Sequence, residues 1–326
     1  MKRIVIPTQP HDIPLPFYLA VEEWVAKNLP AGKYFFAWQV DSTVICGRHQ
    51  DIPAEVDLEY ASRHNIYVCR RKSGGGSVYA DRSNVMFSYI TPSDAVQITF
   101  SDYTSMICQM LGSLGINAVP TGRNDISVND KKVAGNAFFK IPGRSIVHGT
   151  MLYDADFETV GRVLTPSRAK MVSKGVVSVP SRITTLRAEG LKISCREFID
   201  LALEYLCDEG EYVLTHNDLA EINEILRTYL DPDFLKFTET KSNPTYIDGV
   251  GEIVIDLQED EHGMIKTVGI KGDFFPLKDV GKALNDRLIG LPNNYKAIQN
   301  ALEGFPAEEF VAGLTDDKFR SLISRN

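Results

Sequence analysis

The stretch of this chain best suited to chemistry is Arg70-Arg71-Lys72-Ser73-Gly74-Gly75-Gly76-Ser77-Val78-Tyr79, where three cations run into three glycines. Glycine reaches φ values closed to other residues and lets another molecule approach the main chain. Successive N–H groups in such a loop converge on an anion, and adjacent cations add charge. A loop of this kind could cradle a phosphate. A hairpin turn carrying a solvated charge cluster accounts for the stretch equally well. Both flanks, Ile66 to Cys69 and Val85 to Ile90, are β-prone. A P-loop or dinucleotide fingerprint needs a helix after its glycines, so both nucleotide folds are disfavoured.

A second stretch joins Thr121-Gly122-Arg123-Asn124-Asp125-Ile126 to Lys131-Lys132-Val133-Ala134-Gly135-Asn136-Ala137. Small residues after a lysine let its side chain lie against a closely approaching partner. Lys132 could then balance charge on a phosphate and a carboxylate together. On its own the pattern is read more simply as an exposed hairpin tip. His148, in the apolar run Ser145 to Tyr153, reads as a hydrogen-bonded core residue. Arg48 after the strand-like Ser42 to Cys46 reads as a surface pair or a carbonyl cap.

Composition sets the frame for these stretches. A chain of 326 residues suggests two domains, and 44% hydrophobic with 24% charged residues is that of a globular protein with a substantial core. A net charge of -8 offers no general field for nucleic acid. Cys46, Cys69, Cys108, Cys195 and Cys207 are scattered and lack C-x-x-C spacing. That speaks for a reducing compartment and against a zinc site or disulfide framework. No run has the length of a signal peptide core or a membrane span. The expectation is a soluble, cytoplasmic protein with no nucleic-acid or membrane partner.

The elements that must position these residues follow from periodicity. A short strand is expected at Ile4 to Ile6, then a helix over Leu15 to Asn28 with Glu22, Glu23 and Lys27 in solvent. Two strands, Tyr34 to Val40 and Ser42 to Cys46, are expected around a turn at Asp41. Ala95 to Leu114, Ser194 to Cys207 and Asn217 to Leu230 read as helices, with Ser194 and Glu197 spaced as a capping box. Arg168 to Leu186 reads as a long polar loop, a candidate flap over a site. Polar, proline-containing sequence from Asp231 to Pro244 marks a boundary. Beyond it, Gly251 to Leu257 and Met264 to Ile270 read as a hairpin, with helical segments from Leu277, Tyr295 and Ala307. The expected domains are therefore 1–240 and 245–326.

Taken together, these stretches resemble the lipoate–protein ligases, within the wider biotin/lipoate transferase group. The likeness runs through Gly47-Arg48 and Gln50, the Arg70 to Val78 loop, Asp81 and Asn84, and Gly122 to Asp125. It continues through Lys132, Gly135 and Ala137, His148-Gly149-Thr150, Lys174-Gly175, Ser178-Val179 and Arg182. It spans roughly Ile4 to Leu186, and the added C-terminal region matches the two-domain form. Ala80 departs from the histidine of many relatives, as does Arg82-Ser83 from Leu-Gly.

The resemblance implies an α+β fold. A class II synthetase or biotin-ligase-like mixed β-sheet catalytic domain would carry a small α+β accessory domain. It implies ATP-dependent activation of lipoate to lipoyl-AMP, usually with Mg²⁺. The lipoyl group would then pass to a lysine of a carrier domain, on an E2 subunit of a 2-oxoacid dehydrogenase or the glycine cleavage H protein. By the same resemblance Lys132 is catalytic, and Gly75, Gly76, Ser77, Val78 and Tyr79 line the adenylate and lipoyl tunnel. Arg71 would face the phosphates, Arg70 the lipoyl end, and Asn124 and Asp125 the phosphate and metal. Lys174 to Arg182 would order as a lid, because a mixed anhydride must be kept from water. The nearest rival is an octanoyl or lipoyl transferase of the same fold, but that chemistry needs a thiolate and no cysteine precedes Lys132 at the site. Another is a non-catalytic binder of lipoate or its carrier, made less apt by Lys132 and the glycines.

Overall fold

The computed structural model describes residues 1–7, 13–93, 95–121, 124–165, 182–235 and 244–323. Its framework is an eight-stranded mixed sheet in the order β11-β1-β2-β6-β10-β9-β8-β7. These strands are β1 (Lys2–Val5), β2 (Tyr34–Trp38), β6 (Asn84–Thr91), β7 (Val119–Thr121), β8 (Asp125–Val128), β9 (Lys131–Ile141), β10 (Arg144–Leu152) and β11 (Glu211–Val213). β1 pairs in parallel with β2 and β11, and the other pairs are antiparallel. Strand alternation feeds two cores. Phe35, Phe87 and Val147 point to one face, and Phe36, Met86 and Ile146 to the other.

Four helices cover those faces. α2 (Val96–Ser113) and α3 (Cys195–Leu206) pack on the first, and α1 (Leu15–Asn28) and α4 (His216–Leu230) on the second. α1 begins at proline-compatible positions, with Pro14 as N-cap and Pro16 in its first turn. It is buried without interruption from Leu15 to Ala26, because α4 covers the side turned away from the sheet. The solvated placement expected for Glu22 and Glu23 is therefore corrected: they are 2% and 5% exposed. The capping box at Ser194 and Glu197 forms, as its spacing predicts.

A second sheet, ordered β4-β3-β5, holds β3 (Thr43–Cys46) between β4 (Tyr67–Arg70) and β5 (Val78–Ala80). The two strands expected around Asp41 both form, but β2 and β3 lie in different sheets. The intervening Gln39 to Ser42 lacks the two-residue turn that pins a hairpin, and leaves chain enough to change sheets. The glycine stretch is the crossover from β4 to β5 over the end of β3.

Toward the C-terminus, β12 (Thr245–Ile247), β13 (Gly251–Glu259) and β14 (Ile265–Gly272) form an antiparallel sheet. α5 (Val280–Leu288), α6 (Tyr295–Ala301) and α7 (Asp316–Ile323) close a separate core against it. Just after β14, Phe274 stays in that core while Phe275 turns out of it and packs against Phe138 and Phe100 of the large unit. The expected 240/245 division falls where residues 236–243 lie outside the described residues. No helix among the described residues is long and apolar enough to cross a membrane.

Candidate active site

A cavity of about 230 Å³ opens between the large sheet, the small sheet and the Asp273 to Phe275 segment. Leu15 and Leu19 of α1, Trp38 of β2, Ile45 of β3 and Met86 of β6 form an apolar wall drawn from one packed cluster. Gly75, Gly76, Ser77, Val78 and Tyr79 all line it, as do Asn124, Asp125 and Lys132. Sequence distances of fifty residues and more are thus closed where strands of both sheets line one cavity.

Lys132 owes its aim to a turn and a bulge. Asn129 and Asp130, with φ of 49° and 61°, make the tight turn between β8 and β9. The ladder then shifts register between Ile126 and Ser127, a bulge that re-aims nearby side chains. Lys132 Nζ donates to Asp125 Oδ1 at 2.7 Å. The lysine is therefore paired inside the cavity wall rather than standing free at a hairpin tip. Beside it, Asn124 and Asn136 hold each other's backbones: Asn124 Nδ2 donates to the Asn136 carbonyl at 2.6 Å, and Asn136 Nδ2 to the Asn124 carbonyl at 2.8 Å. Arg182 and Ile183 also line the cavity, and the Thr184 N–H donates to the Lys132 carbonyl at 2.9 Å. Gly122, Arg123, Lys174, Gly175, Ser178 and Val179 lie outside the described residues.

The two arginines are both held by backbone carbonyls. Arg70 turns to the carbonyls of Gly47, Arg48 and Gln50 at 2.7 to 2.9 Å and is not among the cavity-lining residues. Arg71 lines the cavity, yet its Nη1 donates to the Ile45 carbonyl and its Nη2 to those of Gly74 and Gly76. Burial pushes its pKa down to about 10. Its Nε has no hydrogen-bond partner among the described residues. Buried carbonyls need donors, and a crossover with few side chains draws them from its own arginines.

The glycines serve close approach within the chain. A Cβ on Gly47 would lie 2.0 Å from the Gly75 carbonyl oxygen, and one on Gly74 would lie 2.4 Å from that of Phe274. Gly75 has φ +86°, and its N–H donates to the Phe274 carbonyl at 3.1 Å. Asp273 and Phe275 line the cavity too. Nothing in their local sequence marks them, since only tertiary docking brings them to the glycine loop.

No cysteine lines the cavity. Burial pushes the Cys46 thiol up to about 11, with Ser77 Oγ donating to its sulfur at 3.3 Å, and raises Cys69 further. Cys108, Cys195 and Cys207 are likewise pushed up to about 11 by burial. A thiolate mechanism has no nucleophile here.

Comparison with known proteins identifies the family. Residues 14–207 match the Lipoyl protein ligase A/B catalytic domain, and residues 238–323 match the Bacterial lipoate protein ligase C-terminus. Lipoate–protein ligase 1 of Staphylococcus aureus is 34% identical over 322 residues, covering 94% of this chain and 95% of its own. Lipoate-protein ligase LplJ of Bacillus subtilis is 33% identical over 318 residues, with the same coverage of 94% and 95%. In fold, the chain matches Plasmodium falciparum LipL1 in complex with lipoate, at TM-score 0.82 and 22% identity, over 100% of this chain and 99% of that one. The bi-partite lipoate protein ligase of Thermoplasma acidophilum matches at TM-score 0.63 and 25% identity, over 73% and 98%. With the catalytic family matching more than half of its residues, and relatives a third identical along nearly all of them, the chain belongs to the lipoate–protein ligases in their two-domain form.

Proposed function

We propose that the cavity activates lipoate with ATP to lipoyl-AMP, and that the lipoyl group then passes to the ε-amine of a lysine on a carrier domain. The observation that carries this reading is the Lys132–Asp125 pair facing the glycine crossover in one cavity with an apolar wall. A free carboxylate is a poor acyl donor. Attack of its oxygen on the α-phosphorus expels pyrophosphate and leaves an anhydride whose AMP group departs readily. The apolar wall of Leu15, Leu19, Trp38, Ile45 and Met86 suits the hydrocarbon arm of lipoate. Lys132 would hold positive charge between carboxylate and phosphate in both transition states without being acylated. Arg71 would add a fixed cation beneath Gly74 and Gly76, and Asn124 would keep the Lys132 strand in place.

Mg²⁺ suits this site, because it is usually held by one or two carboxylates and substrate phosphates rather than by an all-protein cage. Asp125 is the carboxylate that would hold it, and the ion would neutralise phosphate charge. Among the described residues no group of three or more His, Cys, Asp or Glu is placed to bind a metal. We place the activating unit in 1–240 and the accessory unit in 245–326, with E2 lipoyl domains and H protein as carriers. Five free cysteines support a reducing cytoplasmic setting.

The test is lipoate-dependent exchange of labelled pyrophosphate into ATP by purified protein with Mg²⁺. Exchange is expected in the native protein and its loss in Lys132→Ala, with an unchanged circular dichroism spectrum. Near-native exchange in Lys132→Ala would remove the lysine from the chemistry. No exchange from folded native protein, with lipoate or octanoate, would refute acid activation.

A further inference from the structure

Beneath the glycine crossover lies a buried hydrogen-bond chain. His148 Nε2 meets Ser73 Oγ at 2.7 Å, and His148 Nδ1 meets Glu22 Oε2 at 2.8 Å. Ser88 Oγ donates to Glu22 Oε1 at 2.5 Å and accepts from Trp38 Nε1 at 2.8 Å. Ser73, His148, Glu22 and Ser88 are all buried. The chain joins α1, β2, β6 and β10 to the residue that opens the three glycines. His148 and Ser88 stand directly opposite each other in the β6–β10 ladder.

For an ionised Glu22 beside a neutral His148 ring, each member's donor capacity sets the direction of the bonds. The Trp38 indole can only donate, so the single Ser88 hydroxyl hydrogen goes to Glu22 Oε1. The Glu22 carboxylate only accepts, so Nδ1 of His148 carries the ring hydrogen. Nε2 of the neutral ring is then an acceptor, and the Ser73 hydroxyl donates into it. The Ser73 carbonyl is held as well, accepting from the Arg48 N–H at 2.9 Å. Its neighbour Lys72 is held by Glu23 Oε2 at 2.7 Å and by Thr228 Oγ1 at 3.0 Å. The hydroxyl and the carbonyl of Ser73 are therefore both held where the crossover leaves β4.

We propose that Glu22 is a positioning residue for the adenylation step: it sets the tautomer of His148, which lines the cavity, and the ring orients Ser73 and so the glycine crossover. The role goes beyond the activity proposed above and rests on it. Glu22→Gln separates it from simple packing, because it keeps the shape and places an amide where a carboxylate oxygen was. With the amide N–H toward His148, Nδ1 must accept. The ring hydrogen then moves to Nε2, and the Ser73 bond reverses.

Two readouts test this. Ring ¹⁵N shifts of the native protein, assigned by the signal missing from His148→Gln, are expected to report the Nδ1–H tautomer, and those of Glu22→Gln the Nε2–H form. In pyrophosphate exchange, Glu22→Gln is expected to lower the maximal rate by about ten- to a hundredfold, the cost of a small misplacement. The apparent KM for lipoate and ATP should change less than about threefold, and melting should stay close to native. Ser73→Ala, which leaves the Glu22–His148 pair in place, should give a similar loss, and the double variant no more than either single one. An Nε2–H ring in the native protein, unchanged maximal rates, or additive losses would overturn the proposal. The tautomer is read without substrate, so absence of exchange in the native protein would refute acid activation and leave the ring measurement to judge the relay by itself.

Discussion

Lys132 reaches the Asp125 carboxylate by lying over Gly135, where a Cβ would stand 2.5 Å from its Nζ and 2.7 Å from its Cε. Gly135→Ala should therefore keep the strand, because the obstructed atoms are the end of a flexible chain, but move the ammonium off its place. The expected outcome is a near-native melting temperature with exchange lowered about ten- to a hundredfold. Unchanged exchange would mean that the position of the ammonium over Gly135 does not matter to the reaction. In the sequence, the small residues after Lys132 give a reason for close packing there. They do not name Asp125 as the partner, because that pairing depends on the register shift between Ile126 and Ser127.

At the scale of the element, the glycine crossover is a loop stiffened from within. Arg70 and Arg71 are drawn to backbone carbonyls, and Gly47 and Gly74 admit backbone from Gly75 and Phe274. Gly74→Ala forces a methyl group against the Phe274 carbonyl and Pro276 Cδ, at 2.4 and 2.5 Å, and main chain gives way poorly. A loss of about 1–3 kcal/mol is expected from denaturant unfolding, the usual cost of overpacking. A stability within error of native would show that the Asp273 to Leu277 segment is not held there in solution. The strands β4 and β6 on either side follow from β-prone flanks, whereas β5, where the crossover ends, lies inside the stretch read as a loop. The inward turn of the arginines does not follow from the flanks, since a cation before glycines is written the same way whether it faces a phosphate or a carbonyl.

At the scale of the molecule, the C-terminal unit docks by inserting Phe275 into the large core and stacking Phe274 on His49, with ring centroids 4.8 Å apart. Gly272 N–H donates to the His49 carbonyl at 2.9 Å, and Lys271 pairs with Asp51 at 3.2 Å. Burial, with the Arg48 and Arg70 charges adding to it, pushes His49 down from 6.5 to about 4. The folded ring thus stays neutral where the unfolded chain binds a proton. Its contribution to stability is present above about pH 6.5 and is lost as the pH falls toward about 4. Melting temperatures should fall through that window, and His49→Phe should flatten that part of the profile. A profile indifferent to the substitution would rule the ring out. The sequence by itself determined the order and type of the main elements, through periodicity and caps, and the family, through residues kept in order along the chain. Only the tertiary structure decided that Glu22 and Glu23 are buried, that β2 and β3 part into two sheets, and that Asp273 and Phe275 complete the cavity. Local spacing carries information over a few residues, whereas burial by a second helix and docking of a distant segment depend on contacts between elements far apart in the chain.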